Sequence, residues 1–548
     1  MTPAELAALI RSVLLEVVAA GDVALNAEDV PEPRVERPRQ REHGDWSTNV
    51  AMQLAKKAGT NPRALAELLA ERLGAADGVA AAEVAGPGFL NIRLEAGAAG
   101  ELARTIVDAG RDYGRNEALA GHVINMEFVS ANPTGPLHIG HTRWAALGDA
   151  LVRLLRASGA EVTPEYYIND AGAQMDKFGA SILARAAGNE VPEGGYRGEY
   201  VADLAAKVVA ERPDLLDLPA EEAVAVAREA GYRLQMAEIR QTLEAFNVHF
   251  DVWFSERELH AGGAVEAAVA RLREQGHVFD DGGAVWLRTT DFTDDKDRVM
   301  VRADGTPTYF AADAAYYLSK KDRGFTGKIY LLGADHHGYV NRLKALASCA
   351  GDDPERNIEI LIGQLVSVAG ARMSKRAGNI IELRDLIEWI GTDPVRYTLA
   401  RFPADSPLTL DGEKLREQNM DNPVYYVQYA HARTRNASRN AAEHGVPRAT
   451  FDPARLDHPA DAALLGSLGQ FPEVVAHAAR LREPHRVARY LEQLAAAYHQ
   501  WYGQTRISPR GEDPVDAGHT ARLWLNDATT QVLANGLDLL GVSAPERM

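Results

Sequence analysis

The chain has 548 residues, 46% of them hydrophobic and 25% charged, the makeup of an ordinary globular protein of several domains. Its formal net charge of −18 argues mildly against a nucleic-acid partner, because phosphate contacts draw on Lys and Arg, yet Arg34, Arg37, Arg39 and Arg41 stand together against Glu36 alone. The single cysteine, Cys349, excludes internal disulfides and multi-cysteine zinc sites and fits a reducing compartment.

The N-terminal stretch is apolar at helical spacing but carries Glu5, Arg11 and Glu16, unlike a secretory signal. No window approaches the ~18 uncharged apolar residues of a membrane span, so a cytoplasmic protein without membrane contact is expected. Residues 1–115 read as an α+β module, with helices over 3–20 and 61–73 and a strand at Phe89–Leu94. The Pro/Arg-rich stretch 31–41 reads as a loop. From 116 to 410 short apolar runs at 123–129, 328–332 and 358–365 alternate with helical stretches, the pattern of a doubly wound parallel sheet. A Gly-, Pro- and charge-rich stretch, 188–225, opens an insertion over about 188–290 that holds a helix at 221–246. From 411 to 548, leucines and alanines three and four apart, notably over 463–480 and 485–501, predict an all-α helical bundle.

Two familiar phosphate and metal signatures are absent: Gly327-Lys328 lacks the rest of a P-loop, and no His-Glu-x-x-His helix occurs. What stands out is a strand, a Pro/Gly turn and an amphipathic helix over 123–156, the unit that sets an anion at a helix N-terminus. His138-Ile139-Gly140-His141 opens that helix. Read alone, the tetrapeptide is equally two polar residues near a helix start. In context, the imidazoles can donate to phosphate oxygens, and Gly140 leaves room for a flat base against the backbone. Downstream, Arg372-Met373-Ser374-Lys375-Arg376-Ala377-Gly378-Asn379 reads either as a solvated basic loop or as a phosphate clamp in which Lys375 meets a leaving pyrophosphate.

In this order the two motifs resemble the HIGH and KMSKS signatures of class I aminoacyl-tRNA synthetases, with Arg372 where the first lysine of the second would stand. The resemblance extends along the chain to the arginyl-tRNA synthetases. It runs through His43–Asn49, Glu127–Gly135, Gly333-Ala334-Asp335-His336-His337-Gly338-Tyr339, Tyr425–Arg433 and the terminal Ser543–Met548. It implies a Rossmann-like catalytic domain between a module for the tRNA D-loop and a helical anticodon-binding domain. The implied reaction joins L-arginine to tRNA(Arg) through an arginyl-adenylate, with ATP and Mg2+ as co-substrate, no tightly bound cofactor, and a monomeric enzyme that needs tRNA for its first step.

By the same resemblance Glu127 and Asn132 handle the α-amino end of arginine, while Tyr309 and Asp313, four apart and so on one helix face, meet the guanidinium. His138, Gly140, His141, Gly333, Asp335, Met373 and Lys375 bind ATP, with His138, His141 and Lys375 catalytic. Phe89 and Asn91 read a D-loop base, and Tyr426 and Tyr429 stack on the anticodon loop. Each also has a plainer reading: Glu127 as a strand-end carboxylate paired with a structural cation, the tyrosines as core packing. No metal site is expected at Asp335-His336-His337, since neighbouring side chains rarely converge on one ion. Two other functions share part of this pattern, another class I ligase and a catalytically inactive RNA-binding regulator. A lone cysteine disfavours the zinc-bearing ligases, and retention of His138, His141 and Lys375 disfavours the regulator.

Overall fold

The computed structural model describes residues 1–38, 40, 43–336, 338–369, 381–511 and 513–548. The first helix, Pro3–Ala19, starts in a reciprocal cap between Thr2 and Glu5 with proline in its opening turn, and helix Pro62–Leu73, also opened by proline, is capped by Asn61, whose side-chain oxygen accepts the Ala64 N–H. They cover a three-stranded antiparallel sheet with Phe89–Leu94 between Trp46–Thr48 and Val79–Ala85. Alternation puts Leu90, Ile92 and Leu94 into a core with Leu6, Ile10 and Leu69. The three-residue strand Trp46–Thr48 is too short to announce itself by alternation.

Five parallel strands form the central sheet among the described residues, in the order Ile358–Gly363, Gly327–Gly333, Val123–Glu127, Glu161–Ile168, Val252–Ser255. Numbered along the chain, this is 5-4-1-2-3, so the order reverses at Val123–Glu127, the position where open α/β sheets bind ligands. The first strand is shorter than its apolar run because Val129 (φ 67°) and Ser130 (φ 40°) turn left-handed immediately after it. A β-branched residue there is strained, and the strain sits at the sheet's ligand-binding edge. Helix Ile139–Ala157 packs behind that strand at backbone distance, since a Cβ on Gly148 would lie 2.2 Å from the Phe128 ring.

The Gly-, Pro- and charge-rich stretch 188–225 contains helix Glu199–Glu211, with its glycines and prolines gathered before and after that helix, and helix Ala220–Ala245 follows. The chain then returns to the sheet at Val252–Ser255 and leaves again for a small antiparallel sheet, Val278–Asp281, Ala284–Leu287 and Arg298–Val301. Those strands are four residues each, too short for alternation to show. Helix Tyr309–Asp322 then crosses back to the fourth parallel strand.

C-terminal to Asp411 the described residues hold helices and no strand. The run of helical spacing over 463–480 is divided between two helices, Pro459–Gly469 and Phe471–Leu481, with the break at Gln470 and Pro472 in the opening turn of the second. Arg396, wholly buried, fastens the parts together by donating to Phe246 O, Asn247 O, Leu540 O and, at 2.6 Å, Asp149 Oδ2. Among the described residues no helix is long and apolar enough to cross a membrane.

Candidate active site

Strand register places Tyr330, Glu127 and Glu165 side by side across the fourth, first and second strands. Helix Tyr309–Asp322 lies over this row. From it the Lys320 ammonium donates to Glu127 Oε2 at 2.6 Å, and the Tyr316 hydroxyl donates to Glu165 Oε1 at 2.6 Å. Arg323 completes Glu165 with bonds of 2.5 and 3.0 Å, and Asn125 adds a fourth at 2.9 Å. Burial pushes the Glu165 carboxyl up, but the Arg323 bonds and the Lys320 charge outweigh it and hold the group below its usual range.

One end of the same helix carries Tyr309 and Asp313. Burial, then the negative charges of Glu127 and Glu256, push the Asp313 carboxyl up to about 7, with Arg342 pulling the other way. Glu256, at 5% exposure, is hydrogen-bonded to the Tyr167 hydroxyl and lies 3.5 Å from His260. Tyr309 is 70% exposed on the rim of a cleft of about 690 Å³ that Gly172, Glu256, His260 and Arg302 also line. Asp313 and Glu256, both with raised carboxyl pKa values, thus meet Glu127, whose charge Lys320 shares, in a cluster where negative charge outweighs positive, and a planar guanidinium suits it. Glu256 escapes a reading of the sequence although it follows the end of a parallel strand as Glu127 ends one; the strand Val252–Ser255 is too short to be seen. Tyr167 and Lys320 escape it too.

Asn132 is exposed in the turn after Ser130. Ser130 itself donates to Glu127 Oε1 at 3.4 Å and accepts the Tyr167 amide at 3.1 Å. Beyond the turn, His138 caps helix Ile139–Ala157: its Nδ1 accepts the Gly140 N–H at 3.1 Å, while His141 Nδ1 accepts the His138 N–H at 3.3 Å. Both rings are therefore neutral with the proton on Nε2, and burial depresses both pKa values, His141 to about 3 with His138 adding to the effect. A Cβ on Gly140 would meet the His138 ring at 2.9 Å, so the glycine makes room for its own neighbour as well as for any ligand. Ile139 N–H bonds Ile381 O and Leu383 N–H bonds Leu137 O, so the residues following 370–380 are tied to the histidine turn. Gly333 ends the fourth strand and Ala334–His336 form a short turn after it, Asp335 among them. Met373 and Lys375 lie outside the described residues.

Two more surfaces bear on function. On the small sheet, Phe89 and Asn91 share a face two residues apart, Phe89 40% exposed and Asn91 9%. On the bundle, half-buried Tyr426 and Tyr429 both face His499, at centroid distances of 5.3 and 5.8 Å, and Tyr425 stacks on Tyr429 at 6.1 Å. Arg433 donates to His499 Nδ1 at 3.3 Å and lies over the Tyr502 ring. Tyr425, Arg433, His499 and Tyr502 thus join the two tyrosines singled out from sequence, through i, i+3 and i, i+4 spacings on two neighbouring helices.

Family models match the chain in three parts. They are the arginyl tRNA synthetase N terminal domain over 4–94, the class I (R) tRNA synthetase catalytic domain over 105–195 and 220–392, and the DALR anticodon binding domain over 427–548. An arginine–tRNA ligase of Paenarthrobacter aurescens is 66% identical with all of both chains covered, and one of Pseudarthrobacter chlorophenolicus is also 66% identical over all of both. The solved structure of Thermus thermophilus arginyl-tRNA synthetase has the same fold, with a TM-score of 0.75 at 24% identity and full coverage of both chains.

Proposed function

The chain belongs to the arginyl-tRNA synthetase family, and we propose that the carboxylate cluster at the strand ends is where it joins arginine to tRNA. The enzyme is an arginine–tRNA ligase that uses ATP; the relatives lend no support to another class I ligase or to an inactive regulator. The observation that carries the placement is the meeting of Glu127, Asp313 and Glu256 at the sheet edge whose first strand leads into the turn that carries His138 and His141.

In the first step a carboxylate oxygen of arginine attacks the α-phosphate of ATP. An O–P bond forms, the bond to the β-phosphate oxygen breaks, and pyrophosphate leaves with the electron pair. Asp313, Glu256 and Tyr309 hold the guanidinium, while Glu127 and Asn132 hold the ammonium, so the carboxylate is delivered in one orientation. The Nε2–H groups of His138 and His141 donate to phosphate oxygens as charge builds, and Lys375 meets the pyrophosphate. Gly140, Gly333, Asp335 and Met373 seat the nucleotide, which brings Mg2+ with it as substrate. In the second step the terminal 2′-hydroxyl of the tRNA attacks the carbonyl, loses its proton and expels AMP. No side chain forms a covalent intermediate, no tightly bound cofactor is required, and the resident site holds no metal.

In this reading residues 1–115 bind the D-loop through Phe89 and Asn91, 116–410 carry catalysis with the insertion at about 188–290, and 411–548 bind the anticodon loop through Tyr426 and Tyr429. The enzyme works as a monomer in the cytoplasm, where its substrates are. Arginine-dependent ATP–pyrophosphate exchange, run with and without tRNA, tests the core of it. Exchange confined to arginine and dependent on tRNA is expected. Exchange driven by another amino acid would overturn it. Lys375→Ala is expected to lower kcat by about 10²–10³, and an unchanged kcat would remove that lysine from the mechanism.

A further inference from the structure

Tyr309, Asp313, Tyr316 and Lys320 follow one another on helix Tyr309–Asp322 at steps of four, three and four residues, so one helix face carries them all. The first two belong to the proposed guanidinium pocket. The last has no part in it, yet Lys320 is a wholly buried cation, which a protein core tolerates only when it is paired. Its ammonium donates to Glu127 Oε2 at 2.6 Å and lies 4.2 Å from the Tyr316 ring centroid and 4.0 Å from that of Tyr330. Glu127 Oε1, by contrast, has the longer 3.4 Å contact with Ser130, in the strained turn that faces the site.

We propose that Lys320 is a positioning residue for arginine, which holds Glu127 by one oxygen and turns the other toward the substrate's ammonium. The inference rests on the reading of Glu127 as the α-amino ligand. Its physical ground is twofold. A buried ion pair of this kind gives little net stability, since an apolar side chain of equal volume is often as good or better, so stability alone does not account for a lysine here. The pair also spans the two elements that grip opposite ends of the amino acid. Lys320 ties the strand carrying Glu127 to the helix carrying Asp313, and so fixes the separation of the ammonium and guanidinium anchors. It cancels one negative charge as well, which leaves the remaining pocket charge for the guanidinium.

The test measures KM for arginine and for ATP in tRNA aminoacylation by Glu127→Gln, Lys320→Met and the double variant, with melting temperatures. Lys320→Met is expected to raise the arginine KM about tenfold while the ATP KM and kcat stay within about twofold, and to add nothing on the Glu127→Gln background. An arginine KM within about twofold of wild type, or effects that multiply in the double variant, would overturn the proposal. Should Lys320→Met fail to fold, the double variant removes the buried charges together, and its comparison with Glu127→Gln decides the matter: equal arginine KM supports the proposal, a further tenfold rise or so overturns it. Glu127→Gln with an unchanged arginine KM would instead strike out the reading of Glu127, and the proposal with it.

Discussion

The Nδ1 of His141 accepts the backbone N–H of His138 at 3.3 Å, and the two rings sit 3.9 Å apart. One pair of side chains thereby caps a helix through Nδ1 and presents two Nε2–H donors from its N-terminus, so a capping role and a catalytic role sit on opposite sides of the same rings. His141→Asn separates them, because an amide oxygen can stand in for Nδ1 but nothing replaces Nε2–H. The expected result is a melting temperature within roughly 2 °C of wild type and a kcat lower by about 10²–10³. A lower melting temperature with full kcat would make His141 a cap only. The depressed pKa has its own sign. His141 stays neutral in the fold down to about 3 but takes a proton near 6.5 once unfolded, so its contribution to stability is whole above 6.5 and declines as pH falls toward 3.

Asp313 carries the opposite shift. With its pKa pushed up to about 7, half of the free enzyme at that pH holds a neutral Asp313 that cannot pair with a guanidinium. The kcat/KM for arginine is therefore expected to rise as pH increases through about 7 and to level off above it, while the same profile for ATP lacks that limb. Asp313→Asn should abolish the limb and raise the arginine KM far more than the ATP KM. Stability runs the other way: a raised carboxylate pKa destabilises the fold above the ordinary value, so the Asn variant should melt higher at alkaline pH, by a few degrees at most. Equal effects on both substrates would count against a guanidinium pocket.

Glu256 contributes to that shift after burial and Glu127, and its removal should be visible in the position of the limb. Glu256→Gln takes one negative charge from beside Asp313, so the limb moves to lower pH, while loss of a guanidinium partner raises the arginine KM by about tenfold. If the limb stays in place as the KM rises, Glu256 is too far from Asp313 to act on it.

Where the sequence could be read, a period or a motif of sufficient length carried the information. Helix Pro3–Ala19 and strand Phe89–Leu94 show their spacing plainly, and the parallel sheet was legible in its buried apolar runs. The site was legible where a motif marked it, as at His138–His141, or where a helix put Tyr309 beside Asp313. What stayed hidden depends on contacts across the sheet. Glu256 follows a four-residue strand inside what reads as an insertion, and Lys320 lies 193 positions from the carboxylate it meets. No local pattern encodes a pairing of that range. Val129 and Ser130 were hidden for another reason, since a left-handed β-branched residue defies its own propensity and is held there by the tertiary structure.

On the bundle, Tyr429 stacks with Tyr425 and meets His499, whose pKa burial and then Arg433 lower to about 4, so the cluster is aromatic and its only charge is the Arg433 guanidinium. Such a face can accept an unstacked base. Tyr429→Ala is expected to raise the KM for tRNA by about tenfold, the size of one lost base stack, and to leave the KM values for arginine and ATP unchanged. Tyr429→Phe should keep most of the affinity. A melting temperature that falls with no change in the tRNA KM would return Tyr429 to the core.

Arg396 tests how far the parts depend on one another. It is buried completely, bonds Asp149 in the helix of the histidine pair, and reaches Leu540 O in the C-terminal turn. Burial presses its pKa down and the Asp149 charge pulls it back, as expected of a cation kept in place by its partners. Arg396→Met leaves Asp149 with Arg153 alone and strips three backbone carbonyls of their donor, and should cost about 3–5 kcal/mol in urea unfolding. Gly541→Ala should reproduce much of that loss without touching a charge. Its Cβ would lie 2.0 Å from Arg396 Nη2, and its backbone φ of 66° is one that alanine resists. If Gly541→Ala is silent while Arg396→Met is severe, the arginine acts through Asp149 and the catalytic-domain carbonyls rather than through the C-terminal turn.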